Sequence, residues 1–267
     1  GRTEASEFEY VFDKKKGTFR EWKINRHQLL DAPIEYNISR APTDNDRGFG
    51  NVYSIWKQEG YYNAVARIYT TELEQKIDHI DIRVSFGMAG IARGVIMRAE
   101  VVWSVFDNGK IRFHCIGRRD TDFMYMPRFG IRLFLKKDAS EVDYFGYGPH
   151  ECYVDKHHSC YKEWFRTNVD DLFENYERPQ ENGNHYGTTY LHVGNKKGTN
   201  IQVMPENGTF EFSVSRYTQE ILERTKHDYE LLPTQQIIVC LDYMQSGVGS
   251  NSCGPDLIQK YRLDCAE

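Results

Sequence analysis

The run from Val95 to Phe106 is built mainly of Val, Ile, Met, Trp and Phe, and it breaks at Asp107-Asn108-Gly109. An Asn-Gly step between apolar runs is a strong hairpin signal, because its backbone supplies the positive φ angles that a tight turn between twisted strands requires. After the turn, Ile111, Phe113 and Cys115 fall on one side and Arg112 and His114 on the other, the two-residue period of a half-buried strand. A chain organised around such a hairpin is committed to antiparallel sheet. The same grammar recurs elsewhere. Phe8–Phe12, the turn Lys14-Lys15-Lys16-Gly17 and Thr18–Ile24 form a second hairpin signal. Ile77–Val84 is rich in β-branched residues, and further strands fit Ile131–Leu135, Thr188–Val193, Phe210–Val214 and Gln236–Leu241.

Helix signals are few. The pattern predicts a helix over Tyr217–Tyr229, with Thr218 as N-cap, and a second over Asn51–Glu59. Strand and helix do not alternate, which excludes a barrel of parallel strands ringed by helices. With 267 residues the chain suits one large all-β domain or two average ones. No linker, repeat or low-complexity tract divides it, so the expectation is one domain over residues 1–267, made of two large packed antiparallel sheets.

Aromatic side chains make up 14% of the chain. They suit strand packing, which accounts for most of them, and they also suit sugar-binding surfaces, where a ring packs on the face of a pyranose. The net charge is −5 with acid and base mixed along the chain, so the basic stripe of a nucleic-acid binder is absent. No apolar run approaches the roughly 20 residues that a membrane-spanning helix needs. The cysteines Cys115, Cys152, Cys160, Cys240, Cys253 and Cys265 have irregular spacings without a C-x-x-C. They read as free thiols in a reducing compartment, and a cytoplasmic location is expected. The chain opens Gly1-Arg2-Thr3 without Met, so a removed natural start is expected.

Several polar clusters are candidate sites. Arg40-Ala41-Pro42-Thr43-Asp44-Asn45-Asp46-Arg47-Gly48 sets oxygen-bearing side chains between two arginines. Asp44-x-Asp46 could face a ligand or a hard cation, but the calcium-loop pattern is incomplete, and a loop held by Asx turns and Arg–Asp pairs is favoured. Tyr147-Gly148-Pro149-His150-Glu151-Cys152 is a rigid turn followed by Asp155, Lys156, His157, His158 and Cys160. Its His and Cys spacing matches no standard structural zinc set, so His150 and Glu151 are expected to hydrogen-bond within the turn. Pro179-Gln180-Glu181-Asn182-Gly183 and Pro205-Glu206-Asn207-Gly208 are further polar turns. Ser246-Gly247-Val248-Gly249-Ser250-Asn251-Ser252-Cys253-Gly254-Pro255 reads as a flexible loop after a strand. It lacks the Lys-Ser/Thr and the helix of a phosphate cradle. No G-x-S-x-G nucleophile elbow occurs.

Five of these pieces, in order, carry a resemblance: Arg40–Gly48, Gly146–Glu151, Pro179–Gly183, Phe212-Ser213-Val214-Ser215-Arg216-Tyr217 and Gly247–Pro255. Together the chain resembles the C-terminal, small-chain domain of β-galactosidases of glycoside hydrolase family 2. The resemblance implies a large two-sheet antiparallel supersandwich similar to galactose mutarotase, and a parent enzyme that hydrolyses terminal β-galactosides such as lactose. It places the two catalytic glutamates in a barrel that this chain lacks. It also implies that the chain's partners are the parent's remaining domains and a galactoside at the domain edge, in a homo-oligomeric full enzyme. No cofactor is expected here, although the family commonly uses magnesium and a monovalent cation in other domains. The loop bearing Asn251, Ser252 and Cys253 is expected to border the sugar pocket, with Cys253 where some members carry a stacking Trp. Arg40, Asp44, Asn45, Asp46, His150, Glu151, Glu181, Asn182 and Arg216 are the motif residues expected to support that edge. Two other readings remain open. One is a free-standing sugar-binding module. The other is a mutarotase-like epimerase that would draw its carboxylate and imidazoles from Glu206, His150 and His185.

Overall fold

A computed structural model describes residues 7–48, 50–197, 200–249 and 256–265. The chain begins with a three-stranded antiparallel sheet, β1 (Phe8–Asp13), β2 (Thr18–Ile24) and β3 (His27–Gln28). It continues into β4 (Leu30–Asn37), then two short helices, α1 (Asp44–Arg47) and α2 (Val52–Glu59). A meander follows: β5 (Val65–Gln75), β6 (His79–Ala89), β7 (Val95–Phe106) and β8 (Ile111–Arg119). Next come β9 (Arg128–Lys136), β10 (Glu141–Gly148), β11 (Tyr161–Asn168), β12 (His185–Thr188), β13 (Tyr190–Gly194) and β14 (Asn200–Val203). The last elements are β15 (Phe210–Ser215), α3 (Gln219–Arg224) and β16 (Gln236–Gln245).

The fold is an all-β sandwich, as expected, and among the described residues its strands form four antiparallel sheets where the sequence suggests two. Besides the N-terminal sheet, the orders are β5-β6-β7-β8, β11-β10-β13-β14 and β12-β15-β16-β9-β4. The hairpin between β7 and β8 turns where the Asn-Gly signal places it. Gly109 has φ +84°, and the Phe106 N–H donates to the Lys110 carbonyl at 2.9 Å. The predicted helix over Tyr217–Tyr229 is capped by Thr218 as expected, but it stops at Arg224. Thr225 is extended, and a separate 3-10 turn occupies Asp228–Glu230. The predicted strand Thr188–Val193 is split, because Thr188 closes β12 and Tyr190 opens β13.

The five-stranded sheet positions everything that follows. Its register aligns His185, Phe212, Leu241, Ile131 and Tyr36 in one row across all five strands. Registered neighbours share a face, and this face is apolar. At one end Tyr36 stacks on Phe86 of β6, with ring centroids 4.1 Å apart. At the other end Phe212 meets Tyr144 of β10 edge-on at 5.2 Å. Each four-stranded sheet therefore covers one end of the five-stranded sheet, and one continuous hydrophobic cluster joins them.

One residue further along, the next row is Glu211, Asp242, Gly130 and Asn37. It lies on the opposite face, and that face is polar yet buried. A strand bulge at Tyr243 lets Asp242 sit beside Arg128, two residues from Gly130. Gly130 leaves room for them: a Cβ there would lie 2.1 Å from the Leu241 carbonyl oxygen and 2.3 Å from Asp242 Oδ1. No helix among the described residues is long and apolar enough to cross a membrane.

Candidate functional site

The segments that cover the polar face bring four of the five motif regions into one network. Arg128 donates to both Asp242 oxygens and, at 3.1 Å, to Glu181 of the loop that precedes β12. Asn184 links the loop to the sheet, donating to Glu211 at 2.7 Å and accepting from Gln245 at 2.9 Å. Each of these side chains is buried. A buried charge without a partner is far more costly than a paired one, so these groups hold the loop to the sheet. Burial works against the charge of Arg128, but the carboxylates of Asp242 and Glu181 outweigh it and raise its pKa. Among the described residues Glu211 makes no ion pair, and Arg128 acts on it only at longer range. Burial, opposed by the Asn184 hydrogen bond, pushes its carboxyl up to about 8, so it carries a proton at neutral pH.

Arg40 is the centre of a second buried knot. Its Nε and Nη2 donate to the two oxygens of Asp46 at 3.1 and 2.8 Å, Nη1 donates to the Ser246 carbonyl, and Nη2 also reaches the Gly247 carbonyl at 3.1 Å. Its guanidinium lies over the Trp56 ring. Asp46 is spent twice, since it also closes a capping box with Thr43 at the start of α1. The Asp44 amide and carboxylate both engage Gln180, at 3.0 and 3.2 Å. The two carboxylates of Asp44-x-Asp46 therefore serve separate partners and do not converge on a cation. Among the described residues no group of three or more His, Cys, Asp or Glu is arranged to hold a metal ion.

Glu151 is the third knot. Its buried carboxylate accepts from Lys156 Nζ at 2.7 Å, the Gly183 amide at 3.0 Å, the Tyr153 hydroxyl at 3.3 Å and the Tyr176 hydroxyl. Asn182 braces the same loop, donating to the Gln180 carbonyl and accepting from the Glu174 amide. Burial and then Glu151 push the Tyr176 phenol up to about 12.

The segment after β16 is pinned by the Arg40 knot, by Asn45 and by Asp155 of the turn that follows Glu151. The amides of Ser246 and Gly247 donate to the carbonyls of Pro127 and Tyr261, and those of Val248 and Gly249 donate to the two oxygens of Asp155, at 3.0 and 2.8 Å. Asn45 Nδ2 donates to the Val248 carbonyl at 2.6 Å. Residues 246–249 are thus tied to the body of the fold by hydrogen bonds, and the other six residues of the expected flexible loop, 250–255, lie outside the described residues. Asn251, Ser252 and Cys253 lie outside the described residues.

Two motif residues stay out of the network. The His150 side chain is 72% exposed, with Glu174 3.9 Å away, so it does not bond within its turn. Arg216 clamps Asp170 at 2.6 and 3.1 Å, on a different edge. The epimerase candidates do not share a site either. His185 is sealed between Tyr144 and Phe212, Glu206 is exposed beside Arg112, and His150 is exposed beside Glu174. A cleft of about 300 Å³ opens elsewhere, near Leu29, Leu135, Val193 and Ile201, and shares no residue with the network.

The residues that sequence reasoning missed are Arg128, Asn184, Glu211, Asp242 and Gln245, whereas Asp155 figures there only as one of the polar residues after the Gly148-Pro149 turn. The available signal was charge at positions of β9, β15 and β16 flanked by apolar residues, as in Met126-Pro127-Arg128-Phe129 and Cys240-Leu241-Asp242. Chemically, the described network is a set of buried ties, in which Gln245 Oε1 is left without a hydrogen-bond partner. Its carboxylates are buried and engaged, whereas glycoside hydrolysis needs two carboxyl groups facing each other across an open sugar site, about 5 Å apart in the retaining case.

The class defined so far is that of an all-β sandwich whose covering loops are tied to one sheet by buried ion pairs. The chain matches the beta-galactosidase small chain family over residues 4–267, and it belongs to that family. It is 39% identical over 257 residues to the beta-galactosidase of Actinobacillus pleuropneumoniae, covering 96% of this chain and 25% of that protein. It is 33% identical over 255 residues to that of Staphylococcus xylosus, with the same coverages. With the beta-galactosidase of Streptococcus thermophilus it shares 27% identity over 267 residues, 99% of this chain and 25% of that protein. The chain thus spans about a quarter of the length of the relatives it matches. Among solved structures, an Aspergillus nidulans amine oxidase aligns with 89% of this chain and 46% of its own at 11% identity and a TM-score of 0.29, too low to carry an argument.

Proposed function

We propose that this chain is the C-terminal, non-catalytic domain of a β-galactosidase, and that its network end supports and helps close the sugar pocket of a catalytic barrel carried elsewhere in the parent. A family match over nearly the whole chain and relatives four times as long support that reading. The observation that carries the non-catalytic role is the engagement of Glu151, Glu181, Glu211 and Asp242 in buried ties. None of them is free to act as acid or nucleophile. The parent is expected to be a homo-oligomer acting on lactose-like galactosides. The test is an assay of the isolated chain and the full-length parent on a chromogenic β-galactoside. The parent should turn over and the chain alone should not. Turnover by the chain alone, abolished by changing one of its own carboxylates, would overturn the proposal.

One observation favours a second reading, a sugar-binding module. Trp164, Phe145 and Tyr190 form an aromatic cluster on the outer face of the β11-β10-β13 sheet, with the Trp164 ring 5.3 Å from that of Phe145 and 5.1 Å from that of Tyr190, and Trp164 exposed. Titrating the chain with galactosides while following tryptophan fluorescence separates the readings. Saturable quenching lost in Trp164→Ala would favour the module.

A further inference from the structure

We infer that Asp155 is a positioning residue for galactoside binding in the parent enzyme, acting through the backbone at Val248 and Gly249. The inference rests on the proposed function, which sets this end of the domain at the sugar pocket. Beyond Gln245 the chain leaves the sheet, yet every amide from Ser246 to Gly249 and every carbonyl from Ser246 to Val248 has a partner. The upstream part is held from within the core: Ser246 Oγ donates to the Met126 carbonyl at 2.6 Å and accepts from the Leu263 amide at 2.8 Å. The downstream part is held by Asn45 at the Val248 carbonyl and by Asp155, whose two oxygens each take one of two successive amides. A carboxylate bridging adjacent N–H groups fixes both their direction and their spacing.

Space makes the same point. A Cβ on Gly247 would lie 2.5 Å from Asp155 Cγ and Oδ2. Contact with this carboxylate is therefore what excludes a side chain at position 247. Asp155 is itself rigidly mounted. Tyr153 and Lys156 exchange backbone hydrogen bonds across it at 2.9 and 3.0 Å, and Lys156 is anchored on Glu151. Removing the Asp155 carboxylate would release two amides at the outer end of the pinned segment. The Arg40 knot, the Ser246 bonds and the sheet would remain. The consequence falls on where the chain runs, and little on whether the domain stays folded.

The experiment uses the full-length parent with the variants Asp155→Asn, Gly247→Ala and their combination, assayed on lactose and on an aryl galactoside, with thermal midpoints measured in parallel. Asp155→Asn loses one charge-assisted acceptor, so a roughly five-fold rise in KM is expected, with kcat nearly unchanged and the thermal midpoint held. Gly247→Ala displaces the same carboxylate and should reproduce the rise. The double variant should add nothing beyond the larger single effect, because both changes cut one tie. Asp155→Glu, which restores both acceptor oxygens, should recover part of the loss. Unchanged KM in an active parent overturns the role of Asp155 alone. Equal falls in thermal midpoint and in both kinetic constants also overturn it, since they would mark a structural tie. A wild-type parent inactive on galactosides overturns the proposed function and this inference together.

Discussion

The guanidinium of Arg128 donates to both oxygens of Asp242 on the neighbouring strand, at 2.6 to 3.2 Å, with both side chains sealed from solvent. Removing Asp242 leaves the buried guanidinium with Glu181 as its remaining carboxylate partner, on one nitrogen only. Asp242→Ala is therefore expected to cost about 3–5 kcal/mol, the range for breaking a buried pair. Urea unfolding monitored by near-UV circular dichroism measures it. A loss below about 1 kcal/mol would mean that water or a neighbour replaces the carboxylate.

Gly130 offers a test of the packing that makes room for this pair. In Gly130→Ala the new Cβ meets a backbone carbonyl at 2.1 Å, which cannot rotate away as a flexible side chain could. A loss of at least about 1–3 kcal/mol is expected from overpacking. Gly208→Ala is the comparison, because nothing lies within 4 Å of its Cβ and the cost there is the φ of +71° alone. Equal melting temperatures for the two variants would contradict the crowding at Gly130.

Glu211 gives stability a slope in pH. Its carboxyl is raised to about 8 in the fold, against about 4.3 in the unfolded chain. The folded protein holds a proton that the unfolded chain has released, so this contribution is full below about pH 4 and is lost as pH rises to about 8. Glu211→Gln needs no proton and should melt above the wild type at pH 8 to 9, with the two converging toward pH 5. Parallel curves across that window would show that Glu211 is ionised in the fold.

His185 slopes the other way. Burial, opposed by the Tyr147 carbonyl, pushes its imidazole down to about 4. Neutral His185 is the stable form, and its contribution is present above about pH 6.5 and lost as pH falls toward 4. Nitrogen chemical shifts of its ring should stay those of a neutral imidazole down to about pH 4. Titration near 6.5 would mean that solvent reaches Nε2.

How much of this was legible depended on where each residue's partner lies. The β7–β8 hairpin could be read because its turn, its strands and its partner are contiguous. The strand β5 was missed, since Arg67, Thr70, Thr71, Glu72 and Glu74 give this largely exposed strand no apolar alternation. The end of α3 was overrun because a sequence pattern continues past Arg224, whereas Thr225 donates its hydroxyl back to Ile221 and turns extended. The motif clusters around Arg40, Glu151 and Glu181 stood out as polar runs. What they bind did not, because Arg40 reaches Ser246 and Glu181 reaches Arg128 only after the sheet has brought distant segments together. Asp155 looked like one more turn residue for the same reason.

The order β12-β15-β16-β9-β4 also bears on how the chain must be made. A ribosome releases β4 and β9 early, and they can pair at once. The other edge of β9 then stays unpaired from the synthesis of Lys136 until Gln236 emerges to meet it. During that interval the nascent protein displays the unpaired N–H and C=O groups of β9, flanked by the apolar side chains of Ile131, Leu133 and Leu135, a surface that recruits other strands. Slow translation between these two points, or a shortage of chaperone capacity, should lower the yield of folded protein without touching any residue of the finished molecule.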